Sequence, residues 1–250
     1  MDGELFDSTI PFGEPELLKT SAYRKYLEEL DGDSEPGGPS SRLTQLSESL
    51  QADLGRFEQR GGSSEAVEVV AACIRHSTRV TIYLQCADRV VPLTVFPQER
   101  LVHCPMDLDE MVQRYLSQLR VMHLEPATLR PPGDSERELI GESRMYHPIG
   151  PLLWELAVRG PRSTLLPEIA GPAVYRVAPG LDVEQLPVTG AVRSAIERLK
   201  REAMSLGGIA AWPAFDRDRA MRLLNALYLQ AGLIVSRAHP SAARSTSWFG

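Results

Sequence analysis

Residues 205–237 of this 250-residue chain read SLGGIAAWPAFDRDRAMRLLNALYLQAGLIVSR, and they contain its clearest local pattern. A short helix is predicted from Ser205 to about residue 211, although two adjacent glycines weaken it. Asp216 has the side chain of a helix N-cap, and the longer helix after it is predicted to end at Gly232, before an apolar strand at 233–235. Helical spacing predicts that this helix buries Met221, Leu224, Leu227, Tyr228 and Ala231.

An amphipathic helix precedes this segment. Its predicted apolar side consists of Val188, Val192, Ala195, Ile196, Leu199 and Ala203. Helix, short helix, helix, glycine and strand is the element order of a winged helix-turn-helix. Residues from about 188 to 237, a fifth of the chain, resemble bacterial winged-helix domains and are similar to the PATAN-type winged helices of response-regulator and gliding-motility signalling proteins.

The resemblance implies that the chain binds a partner and is not an enzyme. PATAN-type modules are thought to mediate protein contacts, so we expect a bacterial regulatory or adaptor protein of signalling or motility. A small GTPase, a roadblock-type protein or a receiver domain is the implied class of partner. One scaffold supports many roles, so the fold alone does not identify that partner.

A DNA-binding transcription regulator is the alternative. Its candidate contacts, which are equally candidate contacts for a protein, are Arg217, Arg219, Arg222 and Arg237. The helix face predicted to be exposed consists of Asp216, Arg217, Asp218, Arg219, Arg222 and Asn225. Two aspartates at the end of the helix where base contacts usually fall would face the negative potential of DNA. The mixed charges therefore favour a salt-bridged face or a protein interface.

The middle of the chain, residues 64–130, predicts a small and mostly antiparallel α+β domain. Its predicted elements are a helix (65–76), three strands (79–86, 90–96 and 100–104), a helix (108–118) and a strand (119–124). The first two strands are joined by the short polar connection 87–89, and Asp107 or Asp109 is expected to cap the second helix.

The proline-rich segment 126–134 marks a boundary. A helical, winged-helix-like domain is predicted at 135–240, with a helix at 148–159, a strand at 173–177 and a tail at 241–250. The fold class predicted for the whole chain is therefore α+β.

Residues 1–63 predict a flexible acidic arm with joints at 31–41 and 61–64. Two amphipathic patterns lie within the arm. The first pattern consists of Tyr23, Tyr26, Leu27 and Leu30, and the second consists of Leu43, Leu46, Leu50, Leu54 and Phe57. Such a helix either docks on a partner or packs on its own domain, and the residues of the first pattern are the candidate partner-binding residues.

Charge is distributed unevenly along the chain. The net charge is −6, but residues 1–72 carry fifteen acidic and six basic side chains, whereas residues 181–250 carry six and nine. The acidic end disfavours attraction of the whole molecule to nucleic acid, and it is also suited to folding back on the basic end. The sequence shows neither a basic, apolar leader nor a long apolar run, and its three cysteines are widely spaced. We therefore expect a cytoplasmic protein without membrane insertion.

Catalytic motifs and phosphate-binding loops are missing from the sequence, so we expect no catalytic residues, no cofactor and no metal ligands. The residues with the side chains of a metal site or a reactive thiol are Cys73, His76, Cys86, His103 and Cys104. Cys73 and His76 share a helical face and could bind zinc with Cys86 or Cys104, but compact CxxC pairs are absent. Cys104 as a nucleophile with His123 or His103 is the other enzymatic interpretation.

Overall fold

The computed structural model describes residues 17–32, 48–50, 53, 65–188 and 190–237. Within these ranges the predicted α+β class is confirmed. The helices are α1 (Thr20–Gly32), α2 (Glu65–Arg75), α3 (Leu108–Glu110), α4 (Ile149–Val158), α5 (Gly190–Arg201), α6 (Leu206–Ala210) and α7 (Arg217–Leu229). The strands are β1 (Val80–Cys86), β2 (Arg89–Phe96), β3 (Leu101–His103), β4 (Arg120–Pro126), β5 (Tyr146–Pro148), β6 (Val174–Val177), β7 (Met204–Ser205) and β8 (Leu233–Ser236).

Several predictions for the arm lie outside the described residues. These are the joints beyond residue 32 and at 61–64, the tail at 241–250, and the side chain of Leu30. Of the second amphipathic pattern only Leu50 is described, and it is fully buried against the core. The first pattern is a helix, as predicted.

The predicted antiparallel sheet is confirmed, with strand order β4-β1-β2-β3-β5. Cys86 pairs with Arg89, so β1 and β2 form a hairpin with a two-residue turn. Alternate residues point to opposite faces of a strand. On the inner face, Val80, Ile82 and Leu84 share one hydrophobic cluster with α2, whose side chains at 66–73 are all buried.

Strand β5 is not predicted by the sequence. Pro148 was expected in the first turn of a helix, but the helix α4 begins one residue later, and Tyr146–Pro148 instead pairs with β3. Three residues are too few to show the alternation of a strand. The five-stranded sheet therefore draws its last strand from beyond residue 135, where the sequence places the helical domain.

The helix expected at 108–118 is confirmed in position but irregular in form. Asp107 caps it, since its carboxylate accepts a hydrogen bond from the Glu110 backbone N–H. After α3 the chain makes a π-helical turn at Met111–Tyr115 and a 3-10 turn at Leu116–Gln118.

The C-terminal elements occur in the predicted order. A three-stranded sheet of order β7-β6-β8 packs with α5, α6 and α7. Asp216 caps α7 as expected, with Oδ1 accepting from the Arg219 N–H at 2.7 Å. The prediction of burial is wrong for two residues. Ala203 is exposed because α5 ends at Arg201. Ala231 is exposed in a left-handed conformation (φ 56°) just after α7.

A buried ion pair holds the C-terminal elements to α2. Arg162 contacts Glu68, and the two side chains are only 8% and 7% exposed. The Arg162 guanidinium also donates to the carbonyl oxygens of Thr164 and Leu165, at 2.9 and 2.7 Å. Because a buried charge is costly unless it is paired, this contact fixes the loop after α4 against α2.

Candidate functional site

The exposed N-terminal turn of α7 carries two of the four arginines that the sequence proposed as contacts, Arg217 and Arg219. Asp216, Arg217 and Arg219 are exposed there, and Asp218 is half-buried beside them. Phe215 packs edge-on against Trp212, and the guanidinium of Arg219 lies 5.2 Å from the centre of the Phe215 ring. Acidic and basic side chains alternate along residues 216–219, two of each, so this turn carries no net positive charge.

Arg222 is not directed toward a partner. Its Nε donates to Asp218 Oδ2 at 2.8 Å, one helical turn away, and its Nη1 donates to the carbonyl oxygens of Val158 and Gly160. These are carbonyl groups at the end of α4, which an arginine can satisfy. Arg222 thus acts as a cap that ties α7 to α4.

Arg219 and Arg237 also bind the chain's own carbonyl groups. Arg219 Nη1 donates to Ala214 O at 2.6 Å, and Arg237 Nη2 donates to Glu168 O at 2.8 Å. Arg217 differs, because it is exposed and makes no hydrogen bond or ion pair with the part of the chain that the structure describes.

Tyr175, a buried residue of β6, is affected by the charges of two of the four predicted arginines. Burial raises the pKa of Tyr175, and the positive charges of Arg237 and Arg217 partly offset that rise. The Tyr175 hydroxyl donates to Ile169 O at 2.8 Å, so the ring is fixed. Of the four predicted arginines, Arg217 and Arg237 are therefore the two whose charges act on Tyr175.

The prediction that Asn225 is exposed is wrong. Asn225 is 1% exposed, its Oδ1 accepts from the Leu166 N–H, and its Nδ2 donates to Thr164 O, both at 2.9 Å. The loop after α4 covers this face of α7. Asn225 therefore supports the loop and cannot reach a base edge.

The candidate partner-binding residues of α1 are divided between two environments. Tyr23 is 3% exposed and stacks on Tyr83 of β1 at 5.1 Å between ring centres. Tyr26 is 42% exposed, and Leu27 is half-buried. Tyr23 is thus used within the chain, whereas Tyr26 remains accessible.

Backbone hydrogen bonds hold the start of α1 to the β1–β2 hairpin. The Val90 N–H donates to Leu18 O at 2.9 Å, and the Thr20 N–H donates to Asp88 O at 2.7 Å. Arg24 adds a weak bond to Gln85. The helix therefore packs in cis on the outer face of the five-stranded sheet, the face opposite α2.

The cysteines do not form a reactive or metal-binding centre in the described part of the chain. All three thiols are buried, and burial raises the pKa of Cys73 and Cys104 to about 12 and of Cys86 to about 11. A nucleophilic cysteine needs the opposite shift. Among the described residues no three His, Cys, Asp or Glu side chains are grouped as metal ligands.

A Ser–His–Asp contact appears that sequence spacing did not reveal. Ser49 Oγ lies 3.3 Å from His76 Nδ1, and His76 Nε2 lies 2.8 Å from Asp53 Oδ2. Arg75 also contacts Asp53, at 3.3 Å, and Glu168, at 2.5 Å. Ser49 and Asp53 are both helical and His76 follows the end of α2, so the contact joins two separate parts of the chain. We therefore interpret the contact as a polar clamp between two helical segments.

None of the helices in the described ranges combines the length and apolar character needed to cross a membrane. Comparison with protein-family models, with curated proteins and with solved structures finds no match to this chain.

Proposed function

We propose that this chain is a non-enzymatic bacterial regulatory or adaptor protein that acts in the cytoplasm by binding another protein through its C-terminal, winged-helix-like part. The proposal rests on the hydrogen bonds and the charge balance of the arginines on and near α7. Three of the four bind the chain's own acceptors, and the exposed turn at 216–219 balances two acids against two bases.

This arrangement suits a protein partner better than DNA. Affinity for DNA depends on how many phosphates are neutralised, and the two aspartates of the exposed turn offset the charges of Arg217 and Arg219. Protein interfaces, by contrast, are enriched in arginine, methionine and aromatic side chains. Arg217 and Arg237, which are both exposed, give the charged part of such a surface. Ile234 of β8, 48% exposed, pairs with Arg176 and lies on the face of the small sheet opposite Tyr175.

The partner class that we propose follows from the likeness to PATAN-type modules. It comprises a small GTPase, a roadblock-type protein or a receiver domain, in signalling or motility. The exposed Tyr26 of α1 offers a second contact, since α1 is attached to the five-stranded sheet through Tyr23 and leaves its other side in solvent.

The first test is binding of the full chain to labelled, mixed-sequence duplex DNA at about 50 mM and about 200 mM salt. We expect no binding at either concentration. Strong binding that weakens steeply with salt, and that is lost in Arg217→Glu and Arg237→Glu but kept in Arg193→Glu, would support the transcription-regulator alternative. Arg193 is the matched control because it is exposed on a different helix, α5.

The second test locates the protein contact. A photo-crosslinking amino acid is placed at position 217, at position 237 or, as a control, at position 193 of the full chain in cells. We expect one discrete protein adduct from positions 217 and 237 and none from position 193. Equal labelling from all three positions would show that this surface has no specific partner.

A further inference from the structure

The outer face of the five-stranded sheet carries a row of polar side chains. Strand register places Thr81, Thr94, His103 and Tyr146 side by side on β1, β2, β3 and β5. The Thr81 and Thr94 hydroxyl oxygens are 3.0 Å apart, and both residues are buried. Residues that pair directly share a face, so the row is continuous from β1 to β5.

Residues 127–145, which we name the cover segment, connect β4 to β5 and lie over one end of this row. The Tyr146 hydroxyl donates to Arg130 O at 2.6 Å and accepts from the Gly141 N–H at 2.9 Å. Arg130 and Ile140 form an isolated bridge between the two halves of the segment. One tyrosine oxygen thus latches both halves of the cover segment to the edge of the sheet.

His103 lies directly beneath the segment. It is 7% exposed, and a side-chain carbon on Gly141 would lie 2.7 Å from its Nε2. Its ring meets the Tyr146 ring edge-on at 4.9 Å. The buried Nδ1 has no hydrogen-bond partner among the described residues.

The groups around His103 give little compensation for a positive charge. Thr94 on β2 and Tyr146 on β5 are uncharged neighbours, and His147 on β5 opposes protonation. Glu142 in the cover segment favours protonation, but it already pairs with Arg144 at 2.7 Å. The guanidinium of Arg130 pairs with Glu136 at 3.3 Å.

We infer that the cover segment is a pH-sensitive flap, which is closed while His103 is neutral and opens when the imidazole takes up a proton in mildly acidic solution. This inference does not depend on the proposed function. Opening would give Nδ1 access to water and would uncover the end of the polar row at His103 and Tyr146.

The direction of the effect follows from the closed state. Burial lowers the pKa of His103 below its ordinary value of 6.5, and the charge of His147 lowers it further. In the open flap the imidazole recovers its ordinary pKa, so opening binds a proton. Closure is therefore fully favoured well above pH 6.5, and between pH 6.5 and the lower pKa of the closed state its equilibrium constant falls by up to about tenfold for each pH unit.

Hydrogen exchange of the Gly141 amide in the full chain tests this inference, because that amide is held by Tyr146. Its protection factor, corrected for intrinsic exchange, is compared between about pH 7.5 and about pH 5.5. We expect a fall of up to about tenfold in the wild-type chain, a smaller fall in His147→Gln, which lacks the charge that lowers the pKa of His103 further, and no fall in His103→Phe. Unchanged protection in the wild type, or an equal fall in His103→Phe, would overturn the inference.

Two further measurements keep the test decisive if His103→Phe does not fold. Tyr146→Phe removes the latch and should raise Gly141 exchange at both pH values while keeping the ratio between them. NMR titration of the wild-type imidazoles should show His103 protonating below the ordinary value of 6.5. Protonation at the ordinary value with no change in Gly141 exchange would contradict the flap.

Discussion

Replacing Tyr23 by alanine should detach α1 from the five-stranded sheet. Tyr23 is 3% exposed and stacks on Tyr83, whereas Tyr26, three residues further along the same helix, is 42% exposed. Tyr23→Ala and Tyr26→Ala remove the same atoms from the same helix. The comparison therefore isolates the packing of α1 on its own domain from the effect of the substitution on helix stability.

The expected cost follows from burial and from the way α1 is attached. Truncating a buried aromatic side chain costs about 3–5 kcal/mol when the cavity persists, and a stacked pair adds about 0.5–1.5 kcal/mol. Apart from Tyr23, α1 is held mainly at its start, by the backbone bonds of Leu18 and Thr20. Undocking of the helix limits the loss, so we expect about 2–3 kcal/mol for Tyr23→Ala and less than about 0.5 kcal/mol for Tyr26→Ala.

Urea unfolding of the full chain, followed by circular dichroism, measures these free energies. Hydrogen exchange of residues 20–29 reports the undocking directly, and we expect faster exchange in Tyr23→Ala only. Equal and small losses for the two variants would refute the reasoning, because α1 would then not depend on its contact with Tyr83. A larger loss for Tyr26→Ala would show that the opposite side of the helix packs on the protein.

Three other predictions concern buried groups. Arg162→Met should cost about 3–5 kcal/mol in urea unfolding, because it leaves the buried carboxylate of Glu68 without its partner; an unchanged midpoint would contradict the ion pair. The thiols of Cys73 and Cys104, whose pKa values burial raises to about 12, should resist alkylation in the native chain at about pH 8 and react on unfolding. Because an unfolded thiol ionises near 9.0, those two cysteines should also make the free energy of unfolding fall above that pH. Gly141→Ala should lower stability by about 1–3 kcal/mol, since the added methyl group meets the imidazole beneath it, and normal stability would show that the cover segment shifts freely.

Local signals in the sequence predicted the parts of the fold that depend on neighbours in the chain. Asp216 and Asp107 cap helices because a short side chain can reach the free N–H groups of the first turn. The β1–β2 hairpin was predicted from two apolar runs and a short polar connection between them. These features need no knowledge of the rest of the molecule.

Features that depend on distant residues could not be predicted. Asn225 reads as an exposed residue on α7, yet the loop that covers it lies 59 residues earlier. Strand β5 has only three residues, so its pairing with β3 leaves no periodic signal. The contacts of His76 with Ser49 and Asp53 arise from the packing of separate helical segments, which spacing alone does not specify.

The sequence indicates candidate contact residues but not their geometry. The sequence identified the four arginines around α7 and the tyrosines of α1. It could not show that Arg222 caps α4 or that Tyr23 faces the chain's own sheet, because an arginine or tyrosine on one helix face looks the same whether a partner or the same chain covers it.

The late position of β5 in the chain has a consequence for synthesis. β3 ends at His103, but its outer neighbour ends at Pro148, so the ribosome adds 45 residues before the sheet can be completed. At about 5–20 residues per second, this takes on the order of 2–9 s. During that interval the nascent chain carries a sheet whose edge at β3 is open, although that edge is only three residues long and therefore a poor template for pairing with another chain.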